Sequence, residues 1–129
     1  MNLDHPIHWQ IQLPPSASSI YPIGEAQTDM QEVIPAFVIT LPLCSKESVT
    51  REFPGGTLQS LLQMIYEFYQ EPVSAAELDR ITALITYKRE RLEQLSVRQE
   101  SGEIIRRFQV VGSGASYEGI RANELLLDI

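Results

Sequence analysis

The residue types that carry most protein chemistry are scarce in this chain, which has two histidines, His5 and His8, and one cysteine, Cys44. With Asp4 beside them, the histidines offer the start of a metal site, because imidazole and carboxylate are ordinary zinc ligands. Residues three apart on a strand point to opposite faces, however, and no acidic or cysteine cluster elsewhere supplies further ligands. No metal and no other cofactor is therefore expected. Cys44 with His8 would make a thiol–imidazole dyad if their strands paired. Nothing nearby in sequence activates the thiol, since the nearest base is Lys46, and a small apolar filler at a strand end is the simpler role.

Two glycine-containing stretches invite comparison with phosphate loops. Pro54-Gly55-Gly56-Thr57 leads into a helix start, where free amides and the helix dipole favour an anion. A phosphate loop also needs a lysine and wider glycine spacing, and here Glu52 stands nearby, so helix capping is the expected role. Gly112-Ser113-Gly114 is expected to be a hairpin turn, because no helix follows it. The carboxylates are spread along the chain, without a pair set for acid–base work. An enzyme would need a deep pocket collecting His8, Cys44 or several carboxylates, and a non-enzymatic protein is the expectation.

Charge is distributed unevenly. From Arg80 to Arg107 there are seven basic residues against four acidic ones, a net of +3, while the remainder has a net of −10. A long solvated helix with mixed charge accounts for this plainly. The sharper reading is an interaction or assembly protein whose basic element meets an acidic patch on another copy or a partner. Its contact residues would be Lys88, Arg89, Arg91, Arg98, Arg106 and Arg107. A nucleic-acid-binding protein using the basic 80–107 segment, with Phe108 as a stacking residue, is the alternative. Phe108 falls on the core-facing period, however, and adjacent strand arginines point to opposite faces. The net charge of −7 also disfavours nucleic acid or an anionic membrane as a partner.

These residues have to be positioned by one α+β domain over 1–129. The 43% apolar content suits a folded chain, and a lone cysteine allows no intrachain disulfide. No apolar run reaches the roughly 18–20 residues that span a bilayer. The start, Met1 to Pro6, lacks a secretory pattern, so an intracellular protein is expected.

Ile7, Trp9, Ile11 and Leu13 alternate with polar residues as in a half-buried strand. A proline- and serine-rich segment over 14–31 should be irregular, wrapping the surface or contacting a partner. Val33 to Leu43 reads as a second strand bracketed by Pro35 and Pro42, and Ser45 to Gly56 as a charged loop. Thr57 caps a helix striped by Leu58, Leu61, Leu62, Ile65 and Tyr69 and ended by Pro72. Ser74 and Glu77 form a capping box for a second helix reaching about Gln99, with Gly102 as terminator. Ile104 to Val111, Ala115 to Ile120 and Leu125 to Ile129 read as strands, the last two separated by a turn at Arg121-Ala122-Asn123. The expected order is β-β-α-α-β-β-β, an antiparallel sheet of about five strands with a helical pair.

Gly56-Thr57-Leu58-Gln59-Ser60-Leu61-Leu62 through Tyr66-Glu67-Phe68-Tyr69-Gln70-Glu71-Pro72-Val73-Ser74 resembles the central signature of an uncharacterised family. That family is known from fungi and large double-stranded DNA viruses. Arg107-Phe108-Gln109-Val110-Val111-Gly112 and Tyr117-Glu118-Gly119-Ile120 are similar to its closing hairpin. The resemblance covers roughly residues 36–129 and implies the same α+β fold with no assigned activity. For a source among the large DNA viruses, it also implies a place for the chain as a virion or virus-factory component.

Overall fold

A computed structural model describes residues 1–16, 19–24, 28–85 and 89–129. The chain is α+β, as its patterning predicts, but its sheet is built differently. Strand β1 (Ile7–Trp9) pairs antiparallel with β2 (Ile20–Pro22), which arises inside the segment expected to be irregular. The alternation at the start is real, because Ile7, Trp9 and Ile11 are all buried. The strand nevertheless ends at Trp9, whose indole N–H donates to the Leu13 carbonyl at 2.8 Å and holds a turn there.

The expected second strand is divided at Pro35-Ala36 into β3 (Val33–Ile34) and β4 (Phe37–Cys44). Pro42 lies within β4 instead of ending it, at a register irregularity where its missing N–H is tolerated. The expected charged loop contains a seven-residue strand, β5 (Glu47–Phe53), antiparallel to β4. β6 (Gly56–Thr57) pairs with β3.

Helix α1 (Leu58–Gln70) buries its predicted stripe and Phe68, which the sequence also places beside that stripe, while Met64 is half-buried. Thr57 accepts the Ser60 amide at 3.1 Å, and the Ser60 hydroxyl accepts the Thr57 amide at 2.9 Å. The Leu58 and Gln59 amides donate to the Glu32 and Met30 carbonyls, so the first turn has no free donor left for an anion at these three positions. Thr57→Ala is expected to cost about 1 kcal/mol in urea unfolding, and Thr57→Ser little.

The single helix expected from 74 to 99 is two helices that pack together, α2 (Ala75–Leu84) and α3 (Arg89–Glu100). Ile85 is extended at the end of α2, although the apolar stripe in sequence runs on through it. Ser74 accepts the Glu77 amide, but the Glu77 carboxylate turns to Arg107 instead of closing the capping box. The expected strand at 104–111 is largely a short helix, α4 (Arg107–Val111). Gly112-Ser113-Gly114 therefore joins a helix to a strand and is not a hairpin turn.

The chain ends in the predicted hairpin, β7 (Ser116–Arg121) and β8 (Glu124–Asp128). Ala122 and Asn123 both take positive φ, as a two-residue hairpin turn requires. β8 pairs with β4 in parallel, which completes a four-stranded sheet ordered β5-β4-β8-β7. Parallel neighbours need a long crossover, and the whole helical region supplies it. Ile39, Leu41, Leu43, Leu125 and Ile120 join the buried faces of α1 to α4 in one core.

Candidate functional site

Of the six basic residues singled out as partner contacts, Lys88 lies outside the described residues. The other five all have partners within the chain. Arg106 donates to the Gln70 carbonyl at 2.6 Å, and Arg107 to the Phe68 carbonyl at 3.4 Å. Arg91 donates to the Gln109 carbonyl and, at 2.8 Å, to that of Val110. These carbonyls lie in the last turns of α1 and α4, where oxygens lack intrahelical donors and the helix dipole is negative. Neither helix has a basic residue in its own last turn, so arginines from other elements cap them. Burial lowers the Arg91 pKa, without an opposing carboxylate.

Arg107 is the most deeply placed of the set. Its side chain is 12% exposed, stacks 4.5 Å over the Phe68 ring, and pairs with Glu71 and, at 3.5 Å, with Glu77. Arg106 and Arg107 both turn toward the end of α1, because Arg107 begins a helix and strand alternation does not apply. Arg89 pairs with Glu93 at 3.3 Å and Arg98 with Glu103 at 2.5 Å, both on the exposed surface.

A second group of residues comes together only in the fold. The chain on either side of β1 joins β7 at two points, Leu3 opposite Ile120 and Gln10 opposite Ser116. Between these anchors lie residues 4–9 on one side and only 117–119 on the other. Residues of both stretches, with Ile23, Arg121, Leu126 and Asp128, line a cleft of about 480 Å³. His5 and His8 both line it, since β1 starts only at Ile7 and strand alternation does not reach His5. Cys44 is not among its residues.

The cleft carries the carboxylates of Asp4, Glu118 and Asp128 against one arginine, Arg121. All four residues are exposed. His5 Nε2 meets Glu32 Oε2 at 2.6 Å, while its Nδ1 is buried without a partner. Tyr117 is 3% exposed, and its hydroxyl has no hydrogen-bond partner among the described residues. Burial, and then the negative charge of Asp4, push the Tyr117 pKa up. Among the described residues, no three histidine, cysteine or carboxylate side chains are placed to hold a metal ion. Nor is any helix long and apolar enough to cross a membrane. Compared with known protein families, curated proteins and solved structures, the chain matches none of them.

Proposed function

We propose that this chain is a non-enzymatic interaction protein, with an acidic surface suited to a basic protein partner. The unequal availability of its charges carries this reading. Among the described residues, eight of sixteen carboxylates are exposed without an ion pair or a hydrogen bond to the chain. Only Lys46 and Arg121, of nine described lysines and arginines, are exposed without an ion pair or a hydrogen bond to the chain. Arg91, Arg106 and Arg107 hold the helices together, Arg80, Arg89 and Arg98 are in surface ion pairs, and the groups left for a partner are mostly carboxylates. The same observation weighs against nucleic acid, which needs free cations facing its phosphates.

The cleft does collect His8 and three carboxylates, the constellation an unfamiliar enzyme would need. Its carboxylates are exposed, which suits holding a cation better than acid–base catalysis, where burial is what retunes an acid. An intracellular place, and a role in a virion or virus factory, are narrower forms of the proposal and rest on the sequence reading alone.

Light scattering at about 50 mM and about 500 mM salt tests the reading, because exposed charge pairs are screened over this range. The chain alone is expected to show one mass at both salts. With a small basic protein such as a histone it should form a complex of fixed stoichiometry that dissociates at high salt. A salt-sensitive self-assembly, or a labelled oligonucleotide shifted at low salt, would overturn it.

A further inference from the structure

We propose that the free edge of β5 is a self-pairing site, on which a second copy of this chain adds its own β5 antiparallel across a two-fold axis at Val49. β5 is the outer strand of the four-stranded sheet, and among the described residues only β4 pairs with it. Which of its backbone groups are free follows from β4. The Thr40 amide donates to the Asn123 carbonyl at 2.8 Å, away from β5. Thr40 and Thr50 stand opposite each other, so they are a pair without mutual backbone bonds. Antiparallel alternation then turns the Thr50 amide and carbonyl off the open edge, and those of Ser48 and Glu52 with them. Pro42, which has no N–H to give, stands opposite Ser48 and agrees with this register. Ser48, Thr50 and Glu52 are all exposed.

Proteins commonly blunt such an edge with a proline, a bulge or an inward charge. β5 contains no proline, and the irregularity of this hairpin lies on β4, between Pro42 and Cys44. Its inward charge, Arg51, is answered within the chain, 5.3 Å from the Phe68 ring and 3.3 Å from the Glu71 carboxylate.

The residues of β5 decide the occupant. Outward backbone groups must meet outward groups, so the axis passes through a residue and not between two. At Val49 it sets Ser48 opposite Thr50, Glu47 opposite Arg51 and Lys46 opposite Glu52, and every facing pair is complementary. Lys46 and Glu52 are both exposed without an ion pair in the chain. An axis at Arg51 or Glu52 would bring like charges face to face. One at Thr50 would set Lys46 against Pro54, and one at Ser48 would set Glu52 against Cys44. The axis at Val49 is thus the self-complementary one, as a two-fold dimer requires. Ser48 and Thr50 exchange both backbone bonds with Thr50 and Ser48 of the second copy, and the two Val49 side chains meet in a close pair between them.

Light scattering and amide hydrogen exchange over a dilution series of the whole chain test the proposal. A dimer is expected that dissociates on dilution. Well above its dissociation constant it keeps its mass at low and high salt, because exposed ion pairs contribute little beside the backbone bonds. The Ser48 and Thr50 amides should be protected in the dimer and exchange freely after dilution. Thr50→Pro removes an N–H that β4 does not use, so it should stay folded, with α1 amides still protected, and be a monomer. Lys46→Glu and Glu52→Lys each oppose like charges twice per dimer and should weaken it about tenfold, while the two together should restore it.

A monomer at every concentration, a Thr50→Pro dimer, freely exchanging Ser48 and Thr50 amides in the dimer, or a double variant as weak as the single ones would each overturn the proposal. Protection of these amides only after a basic protein is added would overturn it too, since the edge would then take that protein's strand. The salt-sensitive complex with a basic protein is measured separately, so either proposal can fail alone.

Discussion

Arg107→Ala is expected to lower the unfolding free energy by about 3 kcal/mol, the lower end of the range for breaking a buried pair. The guanidinium lies over the Phe68 ring, reaches the end of α1 through the Phe68 carbonyl and pairs with Glu71 and Glu77. Glu77 is the partner most harmed, because its side chain is only 13% exposed and Arg107 is the cation that pairs with it. Glu71 is 44% exposed and can turn to water, which keeps the figure at the low end. In a protein of this size the loss corresponds to a melting temperature lower by roughly 10 °C. Arg107→Lys should fall between the two, since an ammonium keeps the charge without the planar stack and fork. A double variant, Glu77→Gln with Arg107→Met, should be more stable than Arg107→Met alone, because the stranded charge is gone. Thermal melts of the four variants beside the parent check this, and an Arg107→Ala melt unchanged from the parent would show that the arginine is a solvated surface group.

Gly119→Ala is expected to cost a similar amount, about 3 kcal/mol, and to open the cleft. Gly119 has φ of +121°, a conformation that residues with a Cβ rarely adopt. A Cβ there would also sit 2.8 Å from the Leu3 carbonyl oxygen, too close for any real contact. That oxygen accepts the Ile120 amide at 2.8 Å, and the Leu3 amide donates to the Ile120 carbonyl at 2.7 Å. The substitution thus strikes the anchor that holds the outer wall of the cleft. Hydrogen exchange should show the Leu3 and Ile120 amides losing protection before the amides of α1. Protected Leu3 and Ile120 amides in Gly119→Ala would mean that the wall is held by other contacts.

The parts of this fold that were legible in advance are those with local causes. The alternation of Ile7, Trp9 and Ile11, the stripe of α1, the caps at Thr57 and Ser74 and the turn at Ala122-Asn123 each depend on residues within a few positions of one another. β5 was hidden because an edge strand of the sheet carries polar residues on both faces. Its inward position at Arg51 is filled by a guanidinium lying 5.3 Å from the Phe68 ring, so no apolar period marks it. The break after α2 was hidden because Leu84 and Ile85 continue the apolar stripe while the chain leaves the helix.

The arginines and the cleft needed the tertiary structure altogether. Whether an arginine is a free charge or a helix cap depends on carbonyls far away in sequence, such as that of Gln70 for Arg106, 36 residues apart. The run of positive charge was plain in the chain, but its availability to a partner was not. The cleft likewise is lined by residues far apart in sequence, 4–8 with 116–118 and 126–128, which meet only once Leu3 and Gln10 have found β7. Local propensity is written over a few residues, whereas the pairing of distant backbone is chosen by burial of the whole core, and that choice decided which charges face the solvent.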